Sequence, residues 1–264
     1  MGQELYSSCP KFYQKNIFKV DNRQLIKISN HNEIWKVKID NEYYILKKAK
    51  KNNNIITNNN KLLEEGKKLM SLDNERIVKC YKILNDSFAG LILECIEGET
   101  LEYILKFKSI DISSIYEIVM EILHGVKYLH TNKIIHNDLN PSNIIFSIKS
   151  KEVKIIDLGI ATYSYTGKNR MGADQFSAPE QLLKRKTTYK TDVWSIGCIL
   201  FYFIEGYRPF KRKYDQLKID PVISNHAPKP LKKLILSMLE KEPCKRPDIS
   251  ECMEVLSVLK ELYE

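Results

Sequence analysis

What this 264-residue chain lacks narrows its reading first. No run approaches the roughly 18 consecutive apolar residues that a membrane span needs, so no spanning helix is expected. Met1 to Ser7 carries no basic head followed by an apolar stretch, which argues against a secretory signal. It also misses a myristoylation signal: Gly2 is in place, but Tyr6 holds the Ser/Thr position. The cysteines (Cys9, Cys80, Cys95, Cys198, Cys244 and Cys252) form no C-x-x-C pair, so neither a zinc site nor a disulfide frame is expected, and reduced thiols point to a cytoplasmic protein. Glycine is missing altogether between Gly2 and Gly66. A glycine-rich loop that lets backbone approach a phosphate is therefore excluded from the first quarter of the chain. No internal repeat is present.

What is there supports a sizeable core. Hydrophobic residues make up 43% of the sequence, and the length suits one large domain or two small lobes. The formal charge of +9 allows nucleic-acid or anionic-surface binding. However, lysine is spread throughout, and its densest clusters, Lys184-Arg185-Lys186 and Lys211-Arg212-Lys213, lie in polar loops. They read as solvated surface, with acidic-substrate docking as the alternative, and no specific nucleic-acid binding is expected.

Residues 1–21 read as a leader. From Leu25 to Lys50, apolar and polar residues alternate in runs around Leu25–Ile28, Ile34–Ile39 and Glu42–Lys47, with Asp40-Asn41 as a turn, which predicts three antiparallel strands. The polar tracts Asn52–Asn54 and Asn58–Asn60 predict an exposed loop, and Leu62 to Leu72 a helix. Strands are expected at Ile77–Leu84 and Leu91–Cys95. Glu97-Gly98-Glu99-Thr100 then reads as the connection to a mainly helical remainder. Helices are predicted at Tyr116–His130, with Ile115, Ile118, Val119, Ile122, Val126 and Leu129 as the apolar stripe, at Val193–Glu205, apolar nearly all round and so buried, and at Leu231–Leu239 and Ile249–Leu262. The pattern is α+β: a small sheet with one helix, then helices.

The chemistry concentrates at His136-Asn137-Asp138-Leu139-Asn140-Pro141-Ser142-Asn143, between a helical run and the strand-like Ile144-Ile145-Phe146. An acid and an amide five residues apart on a tight loop can face one phosphate from two sides. Asn-Pro dipeptides also mark plain turns, and phosphotransferases acting on small molecules share H-x-D-x-x-x-x-N, so the fragment alone leaves the class open. Around it stand Tyr44-Ile45-Leu46-Lys47, Asp157-Leu158-Gly159 nineteen residues after Asp138 (157 − 138 = 19), Ala178-Pro179-Glu180, Asp192-Val193-Trp194-Ser195-Ile196-Gly197 and Arg246-Pro247. Taken singly, Lys47 reads as a surface lysine, and Glu64 or Glu65 as solvated helix surface.

In this order the fragments resemble the eukaryotic-type protein kinase domain, over about residues 22–262. The resemblance implies a bilobal fold, with a small lobe at about 22–95, a hinge at about 94–99 and a larger lobe at about 100–262. It implies a catalytic set of Asp138, Lys47, Glu65 and Asn143: Asp138 as base, Lys47 on the α- and β-phosphates and Glu65 as partner of Lys47. Asn143 and Asp157 would hold Mg²⁺ or Mn²⁺. ATP would be bounded by Lys47, Ile28, Val37, Ile45, Leu93, Glu94, Ile96, Ile145 and Asp157, with Leu93 as gatekeeper and the backbone of Glu94 and Ile96 on the adenine edge. Arg246 would pair with Glu180. The partners implied are ATP and a protein substrate.

The chain departs from the family in three places. The G-x-G-x-x-G-x-V window falls on Asn30 to Val37, where Asn30 and Asn32 tolerate positive φ but Trp35 replaces the third glycine. Asn140 stands where Ser/Thr protein kinases carry a lysine that neutralises the transferring phosphate. Asn137 replaces the arginine that binds an activation-loop phosphate, and Asn169 holds the usual acceptor place. Ser164, Tyr165 and Thr166 are phosphorylatable but early in the segment, and Lys168 and Arg170 could meet a phosphate there. Gly172-Ala173 and Phe176-Ser177-Ala178 resemble the Ser/Thr branch. Three functions therefore compete: an active Ser/Thr protein kinase, a pseudokinase scaffold, and a small-molecule kinase of related fold.

Overall fold

The computed structural model describes residues 22–52, 54–86, 88–165, 175–212, 214–224 and 226–263. The leader, and Thr166, Lys168, Asn169, Arg170, Gly172, Ala173 and Lys213, lie outside them. The chain divides into two compact units. The first runs to Asp73 and resumes from Val78 to Cys95; the second takes Asn74–Ile77 and everything from Ile96 on.

The first unit is an antiparallel sheet with one helix. Its strands are β1 (Asn22–Ile28), β2 (Asn32–Ile39), β3 (Glu42–Ala49), β4 (Cys80–Asn85) and β5 (Ala89–Glu94), in the order β1-β2-β3-β5-β4. Asp40 and Asn41 close the β2–β3 hairpin with φ of 48° and 72°, the left-handed pair that a two-residue hairpin loop requires. One face of the sheet buries Val37, Ile39, Tyr44 and Ile92, with Trp35, Leu46, Tyr81 and Leu84 packed against them. Helix α1 (Ile55–Met70) lies against β4 and β5.

That helix starts seven residues earlier than the sequence suggests (62 − 55 = 7), and the second asparagine tract of the expected loop, Asn58–Asn60, is part of it, while Asn52 and Asn54 are exposed and precede it. The reason is hydrogen bonding by the asparagines, both among themselves and to the Asn30–His31 turn. Asn52 Oδ1 accepts from the Asn54 backbone N–H at 2.9 Å and from Asn58 Nδ2 at 3.1 Å, so asparagines that are poor helix formers are held at the helix start by their own side chains. Leu72 falls beyond the helix end at Met70.

The second unit begins with a three-stranded ribbon, β6 (Glu99–Thr100), β8 (Ile144–Phe146) and β9 (Val153–Ile155), in the order β6-β8-β9. Glu99 and Thr100 thus pair with Phe146 and Ile145 rather than forming a free connection. The short β7 (Ile134–Ile135) pairs with β10 (Thr162–Tyr163). The helices are α2 (Leu101–Phe107), α3 (Ile112–Thr131), α4 (Pro179–Leu182), α5 (Tyr189–Glu205), α6 (Asp215–Lys218), α7 (Lys229–Met238) and α8 (Ile249–Tyr263). Asp111 caps α3 by accepting from Ser114 N at 2.8 Å, and the predicted stripe from Ile115 to Leu129 is buried. Helix α5 starts at Tyr189 and is buried from Thr191 to Tyr202; it ends where Gly206, at φ 73°, takes the left-handed cap. No described helix is long and apolar enough to cross a membrane.

Candidate active site

In the first unit, β3 presents Lys47 and α1 presents Glu65. Both are buried, and Lys47 Nζ meets Glu65 Oε1 and Oε2 at 2.8 Å each. The neighbouring Glu64 is exposed. The pair depends on a close approach of helix to sheet: a Cβ on Gly66 would sit 2.5 Å from Leu91 Cδ2 and 3.0 Å from Ile83 Cγ1. Only glycine lets α1 come down far enough at this turn for Glu65 to reach the lysine.

In the second unit, the loop after β7 is built on a buried carboxylate. Asp192, on α5, is fully buried; its Oδ2 accepts from the His136 backbone N–H at 2.9 Å and faces His130 Nε2 at 2.8 Å, while its Oδ1 accepts from the Asn137 N–H at 2.9 Å. Asn137 sits at φ 66°, a left-handed conformation that asparagine accepts more readily than most residues. His136 is fully buried, and its Nδ1 accepts from the Asp138 N–H at 3.2 Å. Burial holds the His136 pKa below the ordinary imidazole value, opposed by Asp192, Asp138 and Asp157. The ring is therefore neutral, with its proton on Nε2.

Asp138 is half-buried in this frame and is held by two amides. Asn140 Nδ2 donates to its carbonyl at 2.9 Å and to Oδ1 at 3.2 Å; Asn143 Nδ2 donates to the same carbonyl at 2.9 Å and to Oδ2 at 3.0 Å. Asn140 also caps the single 3₁₀ turn Pro141–Asn143 by accepting from Ser142 N at 3.0 Å. Asn143 immediately precedes β8 and Asp157 follows β9 by two residues. Because these strands run antiparallel, with Ile144 opposite Ile155, the amide and the carboxylate stand at the same end of one hairpin. The Ile156 N–H donates to the Asn143 carbonyl at 3.0 Å, and Gly159 N donates to Asp157 Oδ1 at 2.8 Å.

The donor chemistry at this hairpin end fits a hard divalent cation. With Nδ2 of Asn143 committed to Asp138, its Oδ1 is the atom left for a metal, and Asp157 adds a carboxylate. Two protein oxygens suit Mg²⁺, which keeps waters and takes phosphate oxygens for the rest of its shell.

A further buried pair holds the helical part together. Arg246 meets Glu180 as a fork, Nη1 to Oε1 at 2.8 Å and Nη2 to Oε2 at 2.9 Å. The remaining guanidinium donors reach the carbonyls of Glu240, Lys190 and Lys241. Gln181, beside Glu180, donates through Nε2 to the Asn137 carbonyl at 2.8 Å, joining α4 to the Asp138 loop.

Comparison with known proteins now decides the family. Residues 32–256 match the family model described as "Protein kinase domain". The chain belongs to the protein kinase domain family. It is 32% identical over 195 residues to Serine/threonine-protein kinase polo of Drosophila melanogaster, covering 69% of this chain and 34% of the relative. It is 35% identical over 169 residues to Calcium-dependent protein kinase 4 of Plasmodium falciparum (isolate 3D7), covering 60% of this chain and 31% of the relative. The chain therefore spans about a third of the length of the curated relatives it matches.

Within this kinase domain the expected site residues separate by face and by unit. Ile45 and Lys47 share one face of β3 with Leu93 and Leu91, their partners on β5. Glu94 ends β5, its N–H donating to the Lys79 carbonyl at 2.9 Å, and Ile96 opens the second unit. Ile145, half-buried, pairs with Thr100. Val37 does not join the Lys47 face. It pairs with Tyr44 and packs into the Ile39–Tyr44–Ile92 core on the other side of the sheet. Ile28, opposite Glu33, follows the same side by register. A one-residue slip in a strand moves a side chain to the opposite face, and the sequence window is off by that one residue. The β2 residues that face with Lys47 are Ile34, its direct partner, and Lys36, the partner of Ile45. Trp35 likewise lies on the core side, so it does not stand over the Lys47 face as the window implied. Asn30 and Asn32 do not use positive φ; the turn they belong to is shaped by Ser29, whose Oγ accepts from the N–H groups of His31 and Asn32.

Proposed function

We propose that this kinase domain transfers the γ-phosphate of ATP to serine or threonine hydroxyls of protein substrates. The observation that carries the reading is the Asp138 carboxylate, half-exposed and gripped by Asn140 and Asn143 at the hairpin end that also bears Asp157. A carboxylate fixed in this way can accept or orient the proton of an attacking hydroxyl. Asn143 and Asp157 would hold Mg²⁺ or Mn²⁺, which when bound neutralises charge on the β- and γ-phosphates. Lys47, oriented by Glu65, supplies the fixed cation for the α- and β-phosphates. Ile45, Leu93, Glu94, Ile96 and Ile145 would bound the adenine. Asn140, in place of a lysine, offers a hydrogen bond and no charge, so the burden of charge stabilisation shifts to Lys47 and the metal. The name of the Drosophila melanogaster relative, a serine/threonine-protein kinase, supports the Ser/Thr assignment.

A pseudokinase scaffold is the second reading. The observation favouring it is the makeup of the Lys47 face, where Lys36 pairs with Ile45, together with the absence of glycine from the turn before β2. A small-molecule kinase is disfavoured by the Arg246–Glu180 fork and the α4 contact with the Asp138 loop, which brace the segment that docks peptides in the family. An ATP-consumption assay with a protein-substrate panel separates the three. Asp138→Asn should keep the fold and lose at least about 100-fold in turnover, roughly 2.7 kcal/mol in the barrier. An Asp138→Asn protein as active as the wild type would overturn the base assignment.

A further inference from the structure

We infer that Asn58 is a positioning residue that ties the glycine-free turn Ser29–Asn32 to the start of α1, the helix that carries Glu65. This rests on the proposed function and on the resemblance by which this turn takes the place of the family's phosphate-covering loop. The geometry is a closed set of bonds. Asn58 is 1% exposed although it is an amide in a run of three asparagines. Its Oδ1 faces His31 Nδ1 at 3.0 Å, and its Nδ2 donates to the Lys50 carbonyl at 3.2 Å and to Asn52 Oδ1 at 3.1 Å. With both amide protons directed elsewhere, Oδ1 is the acceptor and His31 Nδ1 carries the proton. Asn52 returns the tie by donating from Nδ2 to the Asn30 carbonyl at 3.1 Å, and Lys50 N–H donates to the His31 carbonyl at 2.8 Å.

Three side-chain bonds, His31–Asn58, Asn52–Asn30 and a longer one from Lys50 Nζ to the Ser29 carbonyl at 3.4 Å, and one backbone bond therefore fasten the turn to the β3–α1 junction. The physical need is clear from the sequence. A turn without glycine cannot lay supple backbone against a phosphate. It can compensate by being ordered in advance, so that less conformational entropy is lost when the nucleotide arrives. The tie also makes the turn and the first turn of α1 a single ordered body, so displacement of the helix that aligns Glu65 with Lys47 displaces the turn as well. Burial of an amide whose polar atoms are all used is the condition for such a network to be rigid.

The test uses the whole chain with Asn58→Ala, His31→Ala and the conservative His31→Gln, which keeps a side-chain donor. In nucleotide-free protein, amide hydrogen exchange across residues 29–32 should accelerate about tenfold or more in the two alanine variants, with α5 unchanged, as loss of the His31–Asn58 bond, and in Asn58→Ala of the bonds to Lys50 and Asn52 as well, predicts. With ATP varied, KM should rise about fivefold or more while kcat stays within about twofold, since the tie acts on binding and not on transfer. His31→Gln should lie nearer to wild type than His31→Ala in both readouts. Unchanged exchange overturns the tie. Faster exchange with unchanged KM, or with KM steady and kcat lost, overturns the positioning role while leaving the bonds in place. A wild-type chain that neither binds nor consumes ATP overturns the proposed function and the positioning role with it, and the exchange comparison then judges the tie alone.

Discussion

Arg246 shows how much of this protein rests on single buried charges. Its guanidinium is fully buried, forked onto Glu180, and stacked at 5.0 Å over the Trp194 ring, with its remaining donors on backbone carbonyls. Removing one partner strands the other charge in the interior. Arg246→Leu should therefore cost about 3–5 kcal/mol, read as a lowered urea midpoint at unchanged slope. A loss under about 1 kcal/mol would show that Glu180 finds water or another cation. His136 gives a pH signature of its own. Its folded pKa is depressed by burial, so below about pH 6.5 the unfolded chain takes up a proton that the folded chain does not. Stability should fall as pH drops from about 7 towards 5, with a slope from this group of at most about 1.4 kcal/mol per unit. His136→Phe should flatten that slope whatever its own baseline cost; an identical slope in the variant would place the titrating group elsewhere.

At the scale of the element, α1 is where packing decides what propensity does not. Gly66→Ala adds intrinsic helix propensity of about 1 kcal/mol, yet its Cβ would lie 2.5 Å from Cδ2 of the fully buried Leu91 and 3.0 Å from Ile83 Cγ1, so both side chains would have to shift. Overpacking should win, leaving a net loss of about 1–2 kcal/mol and weaker ATP binding as Glu65 is lifted from Lys47. Thermal unfolding and a nucleotide titration of the variant check both, and a more stable variant with unchanged binding would contradict the argument. The same helix marks the limit of the sequence. Its apolar rows, like the stripe on α3 and the hairpin at Asp40-Asn41, are legible because spacing and turn chemistry are local. Its true start at Ile55 is not, because it depends on asparagine side chains bonding to a turn more than twenty residues away. The face of β2 is illegible for a related reason. Register follows from pairing with β3, and a motif aligned one residue off puts Val37 and Trp35 on the Lys47 side when they belong to the core. Of the candidate site, the Lys47–Glu65 pair follows from motif order, whereas the Asp138–Asn143 contact, Gln181, Asn58 and the support from His130 carry no sequence signal.

For the molecule as a whole, the departures at the Asp138 loop bear on how activity is set. Asn137 is 1% exposed, and its Nδ2 lies 2.9 Å from Thr162 Oγ1, 3.3 Å from the Ile135 carbonyl and 3.4 Å from the Ile160 carbonyl. The place from which an arginine could meet a loop phosphate is thus filled by an amide turned inwards onto β7 and β10. Its backbone N–H is held by Asp192 and its carbonyl by Gln181, so this one residue joins four segments without any charge. The segment after Asp157 is anchored as well by Tyr189, whose hydroxyl donates to Ser164 Oγ at 3.1 Å, and by Ser164 N–H on the Lys133 carbonyl. In family members that carry the arginine, a phosphate contributes charge-assisted bonds to this segment; here the described start of the segment, up to Tyr165, is tied down without one. Activity should therefore be indifferent to phosphate on the loop. Phosphatase-treated and untreated protein, and a variant with Tyr165 and Thr166 changed to alanine, which keeps the Ser164 anchor, should agree within about threefold in kcat/KM, less than 1 kcal/mol in the barrier. A drop of about 100-fold on either treatment would mean that a phosphate does the ordering and that the Asn137 bonds are too weak to replace it.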